Sequence, residues 1–177
     1  MNHSVADQLC LACGLCCDGA LFKDVELQPG DDPVHLRNLG LPVSAPRSAP
    51  GTPRFNQPCA ALGADCRCRI YAGRPARCRQ FECALFQAVH DGRVEIPTAL
   101  RTIQQTRRLA DKVRALLRAL GDTDEQLALS RRFRRTKKRL VASALDDETA
   151  DRFGDLTLAV HDLNLRLRHH FYPSPSD

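Results

Sequence analysis

Large side chains are scarce in this sequence: among 177 residues there is no tryptophan, one methionine, two tyrosines and seven phenylalanines. A chain of this length can bury a modest core, but its amino-terminal half has too few bulky residues to build one alone, and a bound metal is the usual remedy. No stretch approaches the roughly 18 consecutive apolar residues of a membrane span, so no membrane partner is expected. The opening residues MNHSVADQLC have neither a basic nor an apolar leader region. Export is therefore not expected, and the cytoplasm, where thiols stay reduced, is the expected location. There is no H-E-x-x-H and no glycine-rich phosphate loop. The six histidines, His3, His35, His90, His161, His169 and His170, are scattered or terminal. Ser-His-Asp and Cys-His chemistry thus lack support, and no catalytic residue is assigned.

Cysteine is abundant and confined. All nine lie between residues 10 and 83. The first cluster, CLACGLCC, carries Cys10, Cys13, Cys16 and Cys17; the second comprises Cys59, Cys66, Cys68, Cys78 and Cys83. The odd count, and the adjacency of Cys16 and Cys17, argue against a disulfide framework. Two C-x-x-C steps end to end place sulfurs where a tight turn can aim thiolates at one cation, and a distant second group closes a four-sulfur site. The spacing predicts a metal centre built from both clusters. Zinc accepts any tetrahedral set of thiolates. An iron–sulfur cluster commonly uses C-x-x-C-x-x-C plus a remote cysteine, and residues 10, 13 and 16 fit that equally. The further thiol of a bacterial ferredoxin run is missing, as is C-x-x-x-C-x-x-C. Zinc, iron and an iron–sulfur cluster all remain open on spacing.

Along the chain, LFKDVEL at 21–27 alternates like a short strand ended by Pro29-Gly30. Asp31 or Asp32 is placed to cap a short helix through VHLRNLG. Residues 42–58 hold five of the eleven prolines and read as an exposed loop with neither helix nor central strand. Proline suits a first helical turn, so Arg74-Pro75 predicts a helix running to Gly92, with Phe81, Leu85 and Ala88 on one face. Cys78 and Cys83 would stand about 140° apart on it, at about 100° per residue. Either Cys78 sits at a distorted helix start, or the two cysteines serve different sites.

Beyond Pro97 helical periodicity takes over. Leu100, Ile103, Ala110, Val113, Leu117 and Leu120 form one stripe; Leu129, Phe133, Thr136 and Leu140 a second, after a capping-box-like Asp122-Thr123-Asp124-Glu125; and Phe153, Leu156, Val160, Leu163 and Leu167 a third. Together these predict a mainly α protein, with a small α+β arrangement as the alternative. A cysteine-rich, metal-bound, irregular region at 1–97 with a short strand and helix precedes an antiparallel helical bundle at 98–172 and a frayed tail at 173–177.

Charge is segregated. Lys plus Arg against Asp plus Glu runs 10 to 10 over residues 1–97, 13 to 4 over 98–145 and 3 to 7 over 146–177. RRFRRTKKR at 131–139 has seven basic residues in nine and could follow a nucleic-acid backbone or meet a protein partner. Its one aromatic, Phe133, belongs to the apolar stripe, so bases have no stacking platform. The acidic third helix, with Asp146, Asp147, Glu148, Asp151, Asp155 and Asp162, is expected to neutralise part of the run. Between Cys59 and Cys83, Arg67, Arg69, Arg74, Arg77 and Arg79 outnumber Asp65 and Glu82. Such cations favour thiolates and donate to sulfur, and Arg74 and Arg79 are assigned that role.

Cys-x-x-Cys-Gly-x-Cys-Cys at 10–17, Pro58-Cys59-x-x-Leu62, and Cys68-Arg69-Ile70-Tyr71 leading into Arg74-Pro75-x-x-Cys78-Arg79-x-Phe81-x-Cys83 resemble the YkgJ-type cysteine-cluster family, described as zinc- or iron-chelating. The likeness runs from residue 10 to about residue 97. It implies metal ligation by Cys10, Cys13, Cys16, Cys17, Cys59, Cys68, Cys78 and Cys83. Cys66 departs from the pattern, because Cys68 takes the cysteine position before Ile-Tyr. Relatives of this cluster include a flagellin lysine methylase that looks like an iron–sulfur protein. The resemblance thus also admits an iron–sulfur enzyme or its accessory.

Overall fold

Residues 5–45 and 51–173 are described in the computed structural model of the chain. The middle of the proline-rich loop, His3 and most of the expected frayed tail lie outside them. Helix α1 (Val5–Cys13) ends where Gly14, at φ 69°, turns the chain in the left-handed region that glycine tolerates. The expected strand at 21–27 shortens to β1 (Asp24–Glu26). It pairs antiparallel with β2 (Arg54–Asn56), with Val25 opposite Phe55 and Glu26 opposite Arg54. The proline-rich loop, expected to hold neither helix nor central strand, thus contains an edge strand that the sequence pattern did not announce. The sheet has two strands, so both are edges, and the flanking prolines need not supply ladder donors.

Asp32 caps α2 (Pro33–Asn38), accepting from the amides of Val34 and His35. Asp31 has a different task, accepting at 2.8 Å from the amide of Ala76 at the start of α3 (Ala76–Gln80). The single helix expected from Pro75 to Gly92 is two: the chain is extended at Phe81 and Cys83 before α4 (Ala84–His90). Two long antiparallel partners follow, α5 (Ile96–Ala119) and α7 (Asp147–His170), with the shorter α6 (Leu129–Val141) packed on α5. The fold is mainly α with one small β element, as expected.

There are two apolar cores. The larger joins α5, α6 and α7 through Ile103, Val113, Leu117, Leu140, Leu156 and Leu163, and it takes in Leu9, Leu15 and Leu21 from the first cluster and Leu85 from α4. The smaller surrounds the sheet: Val25, Leu27, Leu36, Leu41, Val43, Phe55 and Ala61. Long-range hydrogen bonds fasten the cysteine-bearing half to the bundle. The Leu129 amide donates to the Gly19 carbonyl at 2.9 Å, the Ala84 amide to the Phe171 carbonyl at 3.2 Å and the Tyr172 hydroxyl to the Leu21 carbonyl at 2.9 Å.

The basic run of α6 is neutralised by different acids from those expected. Arg132 and Arg135 pair with Asp122 between α5 and α6, Arg135 also with Asp124, and Arg131 with Asp24 of β1. Asp122 is thereby withdrawn from the expected capping box, and α6 begins only at Leu129, with Ala128 in the capping position.

Candidate metal centre

Cys10 and Cys13 occupy the last turn of α1, three residues apart and so on one helical face. The expected tight turn begins after them. Gly14 reverses the helix, the amides of Cys17 and Asp18 donate to its carbonyl, and Cys16 and Cys17 are carried back past the helix end. An alanine Cβ at Gly14 would lie 3.1 Å from the Cys66 sulfur, so this position is constrained by both conformation and space.

In the second cluster, the Cys59 amide donates to the Cys17 carbonyl at 2.7 Å, joining two cysteines that are 42 residues apart. A bridge between Leu62 and Cys68 folds the following loop back on itself. Cys78 is on α3, and Cys83 caps α4, its sulfur accepting from the Phe86 amide at 3.4 Å. The break between α3 and α4 removes the angular conflict of a continuous helix, because Cys78 and Cys83 stand on separate helices.

All nine cysteines line one cavity of about 630 Å³, and none forms a disulfide. Burial pushes the Cys13 thiol up to about 12 and that of Cys78 up to about 11. It also raises Cys16, Cys17, Cys59 and Cys83, with the charges of neighbouring cysteines adding to the effect for Cys16 and Cys17. Backbone groups act in the opposite sense, Leu15 on Cys13, Ala61 and Leu62 on Cys59, and Phe86 and Leu85 on Cys83. Clustered, buried thiols are unfavourable as bare anions despite the amides turned toward them, and a cation among them removes that cost. Among the described residues no three His, Cys, Asp or Glu side chains are grouped closely enough to hold a metal ion. The cavity also receives Gln57, whose buried Oε1 has no hydrogen-bond partner among the described residues. The donor set and this unmet acceptor both fit a bound group.

Arg74 lines the cavity, stacks over the Tyr71 ring at 3.6 Å and lowers Cys78 through its charge. Arg79 instead donates to the Arg74 carbonyl. Arg69, to which no role was given from sequence, lowers Cys59 in the same way. Arg107 of α5, also unanticipated, donates to the Ala12 carbonyl at 2.8 Å and to the Cys66 sulfur at 3.3 Å. It is 41 residues from Cys66, and no local pattern announces the pairing. Cys66 itself has φ 62° and opens to a second cavity of about 360 Å³ as well.

The model of one family, CxxCxxCC, described as "Putative zinc- or iron-chelating domain", matches residues 9–106. No curated protein and no solved structure matches the chain. The family match covers more than half of the 177 residues and every cysteine that lines the cavity, so the chain belongs to the CxxCxxCC family of zinc- or iron-chelating domains.

Proposed function

We propose that Cys10, Cys13, Cys16, Cys17, Cys59, Cys68, Cys78 and Cys83 chelate zinc or iron, the iron as ions or as an iron–sulfur cluster. The observation that carries this is that thiols spread from residue 10 to residue 83 line one cavity. Disulfide-free thiols in this number suit a reducing compartment, the cytoplasm. A divalent ion held by four thiolates carries a net charge of minus two, and Arg69 and Arg74 stand where they offset it.

The reading is tested by elemental analysis and a visible spectrum on protein purified without oxygen or added metal. Colourless protein containing zinc assigns a structural or carried ion. Brown protein with iron and acid-labile sulfide moves the reading to an iron–sulfur enzyme or accessory related to the flagellin lysine methylase. Folded protein free of metal removes the reading. Nucleic-acid or protein binding through residues 131–139 falls behind it. Arg131, Arg132 and Arg135 are tied to acids within the chain and Arg139 to the Leu120 carbonyl, leaving Arg134, Lys137 and Lys138 exposed.

A further inference from the structure

The cavity cysteines belong to two packing environments, each drawing on both sequence clusters. Cys13, Cys16 and Cys83 pack against the larger core, beside Leu9, Leu85 and Ile103, and Cys10 precedes Cys13 by one turn of α1. Helices α1 and α4 are in contact, which brings the Cys10–Cys13 face to the capping position of Cys83. Cys59, Cys68 and Cys78 pack against the smaller core, beside Val25, Leu36 and Phe55. Cys17 joins them through the hydrogen bond from the Cys59 amide. Electrostatic neighbourhoods divide in the same way. Cys10 and Cys83 act on both Cys13 and Cys16, whereas Cys59, Cys68 and Cys78 act on Cys17; the one influence that crosses is that of Cys17 on its neighbour Cys16.

We infer that the chain holds two metal centres, one made by Cys10, Cys13, Cys16 and Cys83 and the other by Cys17, Cys59, Cys68 and Cys78. The inference rests on the metal-chelating reading above and adds the assignment of thiols to sites. Four thiolates saturate a tetrahedral ion, so eight thiols in two neighbourhoods suffice for two centres. The Cys16–Cys17 peptide is the junction: consecutive residues with Cα atoms about 3.8 Å apart serve opposite cores. The ninth thiol, Cys66, belongs to neither set and is held by Arg107.

The test compares metal content in full-length chains purified without oxygen. Cys10→Ser/Cys83→Ser removes two ligands from one set and is expected to halve the metal. Cys59→Ser/Cys68→Ser is expected to halve it from the other side. Cys68→Ser/Cys83→Ser, which spans the sets, is expected to abolish tight binding, and Cys66→Ser to retain the full content. Equal, complete loss in all three double variants, with the helical circular dichroism intact, overturns the partition in favour of one shared centre. Cobalt titration of the metal-free native chain gives the same answer without substitution. Saturation at two ions with a tetrahedral thiolate spectrum supports the partition, and saturation at one overturns it. A native chain that takes up no metal at all overturns the metal-chelating reading itself, a separate result from either.

Discussion

Chelating the bound metal is expected to melt the region from residue 24 to residue 83 while α5 and α7 stay folded. The two parts rest on cores of very different size. Around the sheet, seven buried residues, Phe55 the largest, stand against the ordering of a long stretch rich in turns. The helical core, by contrast, runs the length of α5 and α7 and ends on Phe171. Structural zinc in small metal-dependent folds supplies about 10–16 kcal/mol, more than the whole stability of many domains of this size. Amide hydrogen exchange before and after chelation measures the effect. Protection should collapse at Val25, Phe55 and Leu62 and persist at Val113 and Leu163. Unchanged protection around the sheet would show that the metal is cargo and not scaffold.

The metal-free state should also be sensitive to alkali. Cys13 packs against the helical core that persists without metal, and burial holds it near 12, above the ordinary thiol value of 9.0. A raised folded value means that the folded state keeps its proton longer than the unfolded chain does. The associated stability is full below pH 9 and is lost as pH rises toward 12. Denaturant midpoints of the metal-free protein should therefore fall between pH 8 and pH 10.5.

What was legible in the sequence was whatever is encoded locally. C-x-x-C spacing is a property of a few successive residues, and a stripe such as Ile103, Ala110, Val113 and Leu117 repeats within one helix, so the cysteine-rich half and the helices α5, α6 and α7 could be read directly, whereas α1, which carries Cys10 and Cys13, was not. What was hidden depends on partners distant in sequence. No glycine or proline marks the break between α3 and α4, and the apolar spacing of Phe81, Leu85 and Ala88 continues across it. The strand at Arg54–Asn56 was masked by its prolines, because its identity comes from pairing with residues 24–26. Asp122 followed by Glu125 has the form of a helix cap, yet the carboxylate is claimed by arginines ten and thirteen residues further on.

Replacing Asp122 with alanine is expected to cost about 3–5 kcal/mol, because it strands a buried guanidinium. The side chains of Asp122 and Arg132 are each 2% exposed. Arg132 donates through Nε to Oδ1 at 3.0 Å and through Nη2 to the Asp122 carbonyl at 3.0 Å. Arg135 donates to Oδ2 at 2.8 Å, and the Thr136 hydroxyl reaches the same oxygen at 3.4 Å. This one carboxylate therefore anchors α6 to the end of α5. At roughly 2–4 °C per kcal/mol for a chain of this length, the melting temperature should fall by about 10 °C. Asp122→Leu combined with Arg132→Met removes both charges and should recover most of the loss, since an apolar pair leaves no uncompensated ion. The sign of the pH effect is the reverse of that for the thiols. Burial alone would raise the Asp122 carboxyl, but hydrogen bonds from Arg135 and Arg132 outweigh it and hold the group below its ordinary 3.8. Its contribution is present above that value and is lost as pH falls through the lower folded one. The native chain should accordingly lose this stabilisation below about pH 4, and the alanine variant, having none to lose, should show a shallower acid limb. Since the Leu129 amide at the start of α6 donates to Gly19, two residues after Cys17, loss of the α6 anchor should also speed metal release well below the melting temperature. A faster transfer of metal to a competing chelator from Asp122→Ala than from the double variant would establish that link, and equal rates would confine Asp122 to the stability of the bundle.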